Sequence, residues 1–306
     1  MAAKKRKEVE RIEGSVAPAA AAVSSAAGLI GATVLLTGLI VAAYVAWTQW
    51  ARPVVYATHH QLLPENVQVP PPPPWIRSDV KAEVFRDGSL AGASALETDL
   101  APRIAHAFEM HPWVASVTRV SKQAPANVVV DLAYRQPIAW VEVPEGMFGQ
   151  QGQAALPIDG KSVLLPQTDF TPDDLGLFIR ISVENLSMCG PTGTPWGDPR
   201  VAGAAAIASA LGPEWRELGL YEIKALADYS APSSPARTRY ELYTPNEKRL
   251  IWGSAPGFEP PGEPLAAAKV SVLREYVQQR GQLDKGQVLG LDLRNPESIR
   301  TATLPR

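Results

Sequence analysis

The sequence predicts an α+β protein with one membrane-spanning helix, a small module of helices and strands, and a β-rich C-terminal domain with a mainly antiparallel sheet and flanking helices. Three observations predict it. Residues 26–47 carry no charge, residues 113–135 hold two β-branched runs joined by a polar turn, and the rest of the chain alternates short apolar runs with turn residues and two helical stretches. The expected organisation is a basic cytoplasmic tail over 1–25, a transmembrane helix over 26–48, a Pro-rich juxtamembrane linker over 49–75, the small module over 76–137 and the β-rich domain over 138–306. A chain of 306 residues can bury two cores. Lys+Arg 29 against Asp+Glu 31 is nearly balanced and gives no reason to expect a nucleic-acid binder. Pro 29 and Gly 23 suit short strands, turns and linkers.

The run AAGLIGATVLLTGLIVAAYVAW has about the length a helix needs to cross the hydrocarbon core of a bilayer. A cleaved signal peptide would have a shorter apolar core ending in small residues, whereas this run ends in Tyr44, Trp47 and Trp50, the residue types of a membrane interface. Lys4, Lys5, Arg6, Lys7 and Arg11 precede the span and only Arg52 follows closely, so the positive-inside rule places the N-terminus in the cytoplasm. Behind it, VPPPPPW over 69–75 predicts a stiff polyproline spacer.

The small module begins with VKAEVF over 80–85, whose alternation predicts a strand. A helix follows, with Thr98 and Asp99 as candidate caps, Leu100, Ile104, Ala107 and Phe108 on one face, and Pro112 as its limit. In NVVVDLAYR, Val128, Val130, Leu132 and Tyr134 share one face and Asp131 and Arg135 the other, a period of two. WVASVTRVS is β-branched enough for a strand but alternates less cleanly. In the C-terminal domain, Asp159-Gly160 predicts a tight turn between apolar runs. Asp198 and Pro199 open an Ala-rich helix that Gly212 closes. RYELYTPNEKRLIWG reads as a hairpin turning at Pro245-Asn246. A helix through Leu265, Val272, Leu273 and Tyr276 ends at Gly281, and QVLGLDLRNPESI predicts a last strand.

The chain offers no set of residues suited to catalysis, to a metal or to a cofactor. His59 and His60 are adjacent and cannot face one way on a regular element. Asp169, Asp173 and Asp174 read as a solvated acidic loop rather than carboxylates fixed for acid–base work. The lone Cys189 has no disulfide partner, and neither a nucleophile elbow, a P-loop nor a dinucleotide fingerprint occurs.

The stretch HPWVASVTRVSKQAPANVVVDLAYRQPIAW resembles the end of a POTRA domain, and more narrowly that of the bacterial cell-division family FtsQ/DivIB. The matching positions are Pro112, Trp113, Val114, Val117, Val120, Pro125, Val128, Val130, Arg135, Pro137 and Ala139, followed in order by Asp159-Gly160, Trp252-Gly253 and the Asp292-Leu293-Arg294 run. The chain departs from the family in its long segment between Trp252 and Lys269, its MFGQQGQAA loop and Asn295-Pro296 after the last strand. The resemblance implies a non-enzymatic, single-span scaffold of the septal division complex in the inner membrane. It also implies recruitment of small single-span partners of the FtsB/DivIC and FtsL type through the edge of the C-terminal domain. Carried over by position, that edge comprises Leu289, Leu291, Leu293, Arg294, Asn295, Ile299, Thr301 and Thr303. The same residues could merely complete the sheet, and Pro296 lacks the N–H a continuous added strand would use. An envelope-assembly or export factor with a POTRA module is the alternative, and an envelope enzyme with an unrecognised site is a more distant one.

Overall fold

The computed structural model describes residues 19–52, 60–90, 92–124, 126–144, 154–187, 189–226, 238–285 and 291–295. The chain forms two compact units, Met1–Gln61 and Leu62–Arg306. In the first, helix α1 (Ala19–Ala46) runs into a π-helical turn, Trp47–Ala51. Its stretch Gly28–Ala51 is long and apolar enough to span a membrane, 24 residues or about 36 Å at 1.5 Å per residue. Leu35, Leu39 and Tyr44 are each more than half exposed, as on a helix with no protein face to bury. The hydroxyls within it stay inside the helix: Thr33 donates to the Ile30 carbonyl at 2.8 Å and Thr37 to that of Thr33 at 2.7 Å.

The second unit opens with a three-stranded sheet and two helices. Strand β1 (Val67–Gln68) lies parallel to β3 (Asn127–Tyr134), which pairs antiparallel with β2 (Val114–Gln123), giving the order β1-β3-β2. Helices α2 (Val80–Asp87) and α3 (Leu100–Glu109) connect β1 to β2. The strand expected at 80–85 is therefore the helix α2. Asp79 caps it by accepting the Ala82 N–H at 3.0 Å, and Val80, Val84 and Phe85 form its buried face. The module's first strand lies in the Pro-rich stretch instead. Leu62 and Val67 are buried, the Tyr134 hydroxyl donates to the Pro70 carbonyl at 2.9 Å, and the Trp75 indole donates to the Arg135 carbonyl at 3.1 Å, so the polyproline run packs along the module.

Helix α3 buries Leu100, Ile104 and Phe108 as its spacing requires. They meet Val128 and Val130 of β3 in one core with Trp113. The weak alternation of β2 has a cause: its register on β3 shifts twice, between Val114 and Ser116 and between Val117 and Arg119.

The C-terminal domain is a mixed six-stranded sheet ordered β5-β4-β6-β7-β8-β9. Its strands are β4 (Pro137–Val143), β5 (Ala154–Asp159), β6 (Ile179–Val183), β7 (Glu222–Leu226), β8 (Arg239–Tyr243) and β9 (Arg249–Gly253). The pairs β4-β5, β7-β8 and β8-β9 are antiparallel, while β4-β6 and β6-β7 are parallel, so the expected mainly antiparallel sheet has a parallel centre. A parallel pair needs a crossover, and helix α4 (Pro199–Leu211) supplies it between β6 and β7. Asp198 caps α4 at the Arg200 N–H and Gly212, at φ 55°, ends it. Helix α5 (Ala266–Arg280) packs beside α4 and buries Lys269, Val270, Leu273 and Tyr276. Leu265, expected on that buried face, is exposed at its N-cap, and Lys269 takes an inward position instead. Strand alternation puts Ala139, Val141, Ile181, Ile223, Tyr240 and Leu242 under these helices. The opposite face carries Trp140, Glu142, Arg180, Glu222 and Lys224, each partly exposed.

The module and the C-terminal domain share their boundary. Leu165 belongs to the module's core and Phe170 packs against it. Asp169, expected in a solvated loop, is buried, and its carboxylate accepts the Trp113 indole N–H at 2.6 Å and the Ser78 hydroxyl at 2.9 Å. Arg135 donates to Asp159 at 2.8 Å and to the Pro112 carbonyl at 3.1 Å. Asp159 in turn holds the tight turn, accepting the N–H groups of Lys161 at 2.9 Å and Val163 at 2.8 Å.

Candidate functional site

The C-terminal edge of the six-stranded sheet is built on β9. Ile251 bridges in parallel to Asp292: its N–H donates to the Leu291 carbonyl and its carbonyl accepts the Leu293 N–H, both at 2.9 Å. Residues 291–293 are thus the outermost described segment on that side of the sheet. A parallel pairing of this kind directs the main-chain groups of Leu291 and Leu293 toward β9 and those of Asp292 the opposite way.

Side chains follow the two-residue period. Leu291 and Leu293 are 7% and 0% exposed and belong to the domain core, so they anchor the segment and are not contacts for a neighbour. Asp292 and Arg294 stay partly exposed and pair bidentately, the guanidinium donating at 2.9 Å to Oδ1 and 2.6 Å to Oδ2. That bond, together with the nearby charge of Lys269, holds the Asp292 carboxyl below its usual range. Asn295 ends the described segment. Leu289, Ile299, Thr301 and Thr303 lie outside the described residues. The structure therefore brings together Leu291, Leu293, Arg294 and Asn295 beside Ile251.

Sequence reading missed what surrounds this edge. The segment between β9 and α5 carries Glu263, whose Oε1 accepts the Ser254 N–H at 2.8 Å and Lys269 Nζ at 2.5 Å. Lys269, fully buried, also donates to the Trp252 carbonyl at 2.8 Å and sits 5.0 Å above the Trp252 ring. The available signal was weak. A lysine two residues before Ser271 reads as solvent-facing, and only the spacing of 269, 273 and 276 on one helical face points to its burial.

Across the open face of the sheet, Arg180 lies 5.8 Å from the centroids of both the Trp140 and Tyr221 rings and pairs with Glu142 and Glu222. Lys224 pairs with Glu184 and Arg249 with Glu241, so the face is a cross-strand array of compensated charges. Tyr243 donates to Glu241 at 2.7 Å, and burial followed by that bond pushes its phenol up to about 12.

In the small module a cavity of about 500 Å³ lies between the ends of α2 and α3 and is lined by Glu83, Asp87, Arg103, His106, Met110 and His111, among others. The Nδ1 of His111 accepts the Trp113 N–H at 3.2 Å and its Nε2 lies 3.1 Å from Glu83, a structural arrangement that fixes the chain entering β2. Among the described residues no three His, Cys, Asp or Glu side chains converge on a position that could hold a metal ion. Neither a protein-family model nor a curated protein matches the chain.

Proposed function

We propose that this chain is a membrane-anchored, non-enzymatic scaffold that recruits other membrane proteins through the C-terminal edge of its six-stranded sheet, in the manner of the FtsQ/DivIB division family it resembles. The observation that carries the reading is the combination of one helix fit to span a bilayer with a sheet whose last described segment, 291–293, is laid on the edge of β9. A sheet edge recruits by accepting a further strand, with main-chain hydrogen bonds supplying affinity and alternate side chains supplying selectivity. The order strand, two helices, two-stranded hairpin, with β1 beside β3, supports the resemblance to a POTRA module. In this reading the basic N-terminal tail is cytoplasmic, both folded parts lie on the far side of the membrane, and the chain works at the division septum.

The partners would be small single-span proteins of the FtsB/DivIC and FtsL type. The test is to express the full chain fused to a fluorescent protein in its own host, and to purify it from solubilised membranes beside a version ending at Asn295. Septal bands, filaments on depletion, and co-purification of small single-span coiled-coil proteins with the full chain but not with the shortened one are expected. Uniform envelope fluorescence with normal septation on depletion would overturn the division role. Equal co-purification by both versions would overturn the part assigned to Ile299, Thr301 and Thr303.

A further inference from the structure

The segment joining β9 to α5 is longer than the resemblance leads one to expect, and its chemistry converges on the C-terminal edge. Strand β9 ends at Gly253, whose φ of 98° is a glycine conformation. Space forbids a side chain there too: a Cβ would collide with the Glu263 carboxylate and come within 2.6 Å of Arg294 Cγ. Glu263, from the inserted segment, and Arg294, from the edge segment, therefore close over the same backbone point. Glu263 is held there by Lys269, by the Ser254 N–H and by the Ser254 hydroxyl at 3.1 Å from Oε2. The signs alternate along the cluster Asp292, Arg294, Glu263, Lys269, and three separate pieces of chain contribute to it. The same proximity appears in Arg294, whose pKa is raised first by Asp292 and further by Glu263.

The inward Leu291 and Leu293 fix which face of the edge turns to the core, and backbone pairing adds little to that. The described segment makes only two backbone hydrogen bonds to β9, both at Ile251, so main-chain pairing by itself holds it weakly. A slip of one residue would exchange the inward Leu291 and Leu293 for Asp292 and Arg294. A buried ion pair adds little net stability compared with apolar residues of the same volume, and its best-attested use is to select one register.

We propose that Glu263 and Lys269 are positioning residues, which lock Arg294 and so hold the C-terminal edge in a single register on β9. The inserted segment then sets which main-chain and side-chain groups of the edge a partner meets. Its functional meaning rests on the recruitment reading above; its physical content does not.

The test is amide hydrogen exchange on the full chain in detergent micelles, comparing wild type with Glu263→Gln, Lys269→Met and the double variant. Each single variant is expected to speed exchange of the Ile251 and Leu293 amides about tenfold, with Val141 and Ile181 changing by less than about twofold. The double variant separates positioning from mere stabilisation. Because no charge is left unpaired, its melting temperature is expected to return close to wild type, while exchange at Ile251 and Leu293 remains fast. Unchanged exchange at these two amides, an equal rise across the whole sheet, or slow exchange restored in the double variant would each overturn the proposal. If exchange behaves as expected but no membrane partner is ever recovered, the recruitment reading falls and the positioning role stands.

Discussion

Asp169→Ala tests whether the small module and the C-terminal domain are joined by a specific polar contact or only by packing. The Asp169 carboxylate is the acceptor for two donors from the module, the Trp113 indole at 2.6 Å and the Ser78 hydroxyl at 2.9 Å. Trp113 is fully buried, so no water replaces the lost acceptor without rearrangement. A hydrogen bond to a charged group contributes about 1.5–3 kcal/mol, and a stranded buried donor costs a further part of its desolvation, so a loss of about 3 kcal/mol is expected. The aromatic packing survives the substitution: Phe170 lies 5.9 Å from Trp113 and 6.1 Å from Phe178. A double-mutant cycle with Trp113→Phe isolates the indole bond, because the cavity left by the smaller ring is common to the single and double variants and cancels. In that background Asp169→Ala removes only the Ser78 contact and is expected to cost about 1 kcal/mol, leaving a coupling near 2 kcal/mol. Urea unfolding of the full chain, followed by circular dichroism and tryptophan fluorescence, supplies the numbers. A coupling below about 0.5 kcal/mol would refute the Trp113–Asp169 bond as a joint and leave the junction to the packing of Leu165 and Phe170 and to the Arg135–Asp159 pair.

Two further substitutions probe the C-terminal core. Gly203→Ala, in the middle of α4, gains about 1 kcal/mol of helix propensity, yet its Cβ would collide with the Tyr240 hydroxyl and lie 2.7 Å from Cζ and 3.0 Å from Ala255 Cβ. Tyr240 is fully buried and donates to the Arg200 carbonyl at 3.1 Å, so it has nowhere to turn; a net loss of about 2 kcal/mol and a melting temperature lower by roughly 4–8 °C are expected, and an unchanged one would show that the helix shifts freely. Asp198→Asn concerns acid stability. Burial pushes the Asp198 carboxyl up, but bonds from the Arg200 guanidinium and N–H outweigh it and leave the pKa below 3.8. A carboxyl with a lowered folded pKa contributes stability that is complete above the unfolded value and is lost as pH falls through the folded one. The Asn variant is therefore expected to lose about 3 kcal/mol at pH 7 and less at pH 3, narrowing the gap to wild type, and urea midpoints at the two pH values check it.

Much of this architecture was legible because local signals agreed. The cap and stop of α4, Asp198 with Pro199 and Gly212, are where they were expected, as are the inward faces of α3 and β3. The helix α2 was misread for a definable reason. Val80, Ala82 and Val84 satisfy a period of two, but Val80 and Val84 equally satisfy i, i+4, and a window of six residues cannot separate the two periods. Asp79 directly before Val80 and Phe85 directly after Val84 were the deciding signals, since an Asp at that place fits a helix cap and two adjacent apolar residues break a period of two. Strand β1 was invisible because two residues carry no period at all; its pairing comes from β3, not from local pattern.

The candidate edge shows the same limit in its most consequential form. Leu289, Leu291 and Leu293 stand out in the sequence as an apolar alternation, and a partner surface read from them assigns binding to the leucines. Alternation in a strand, however, marks the face that is already buried whenever a core lies beside it. Both described leucines point into that core, and the positions a neighbour would meet are the intervening polar ones, Asp292 and Arg294. Those two are unremarkable as a sequence pattern because their geometry depends on Glu263 and Lys269, about 30 residues upstream, and on a glycine that leaves room for both. Leu291→Arg would consequently place a charge in the core and report on folding, whereas Arg294→Glu sets like charges beside Asp292 and Glu263 and reports on the edge itself. If the C-terminal edge recruits partners, Arg294→Glu is expected to abolish co-purification while Glu263→Gln only weakens it. The first removes the group a partner meets, and the second loosens its position.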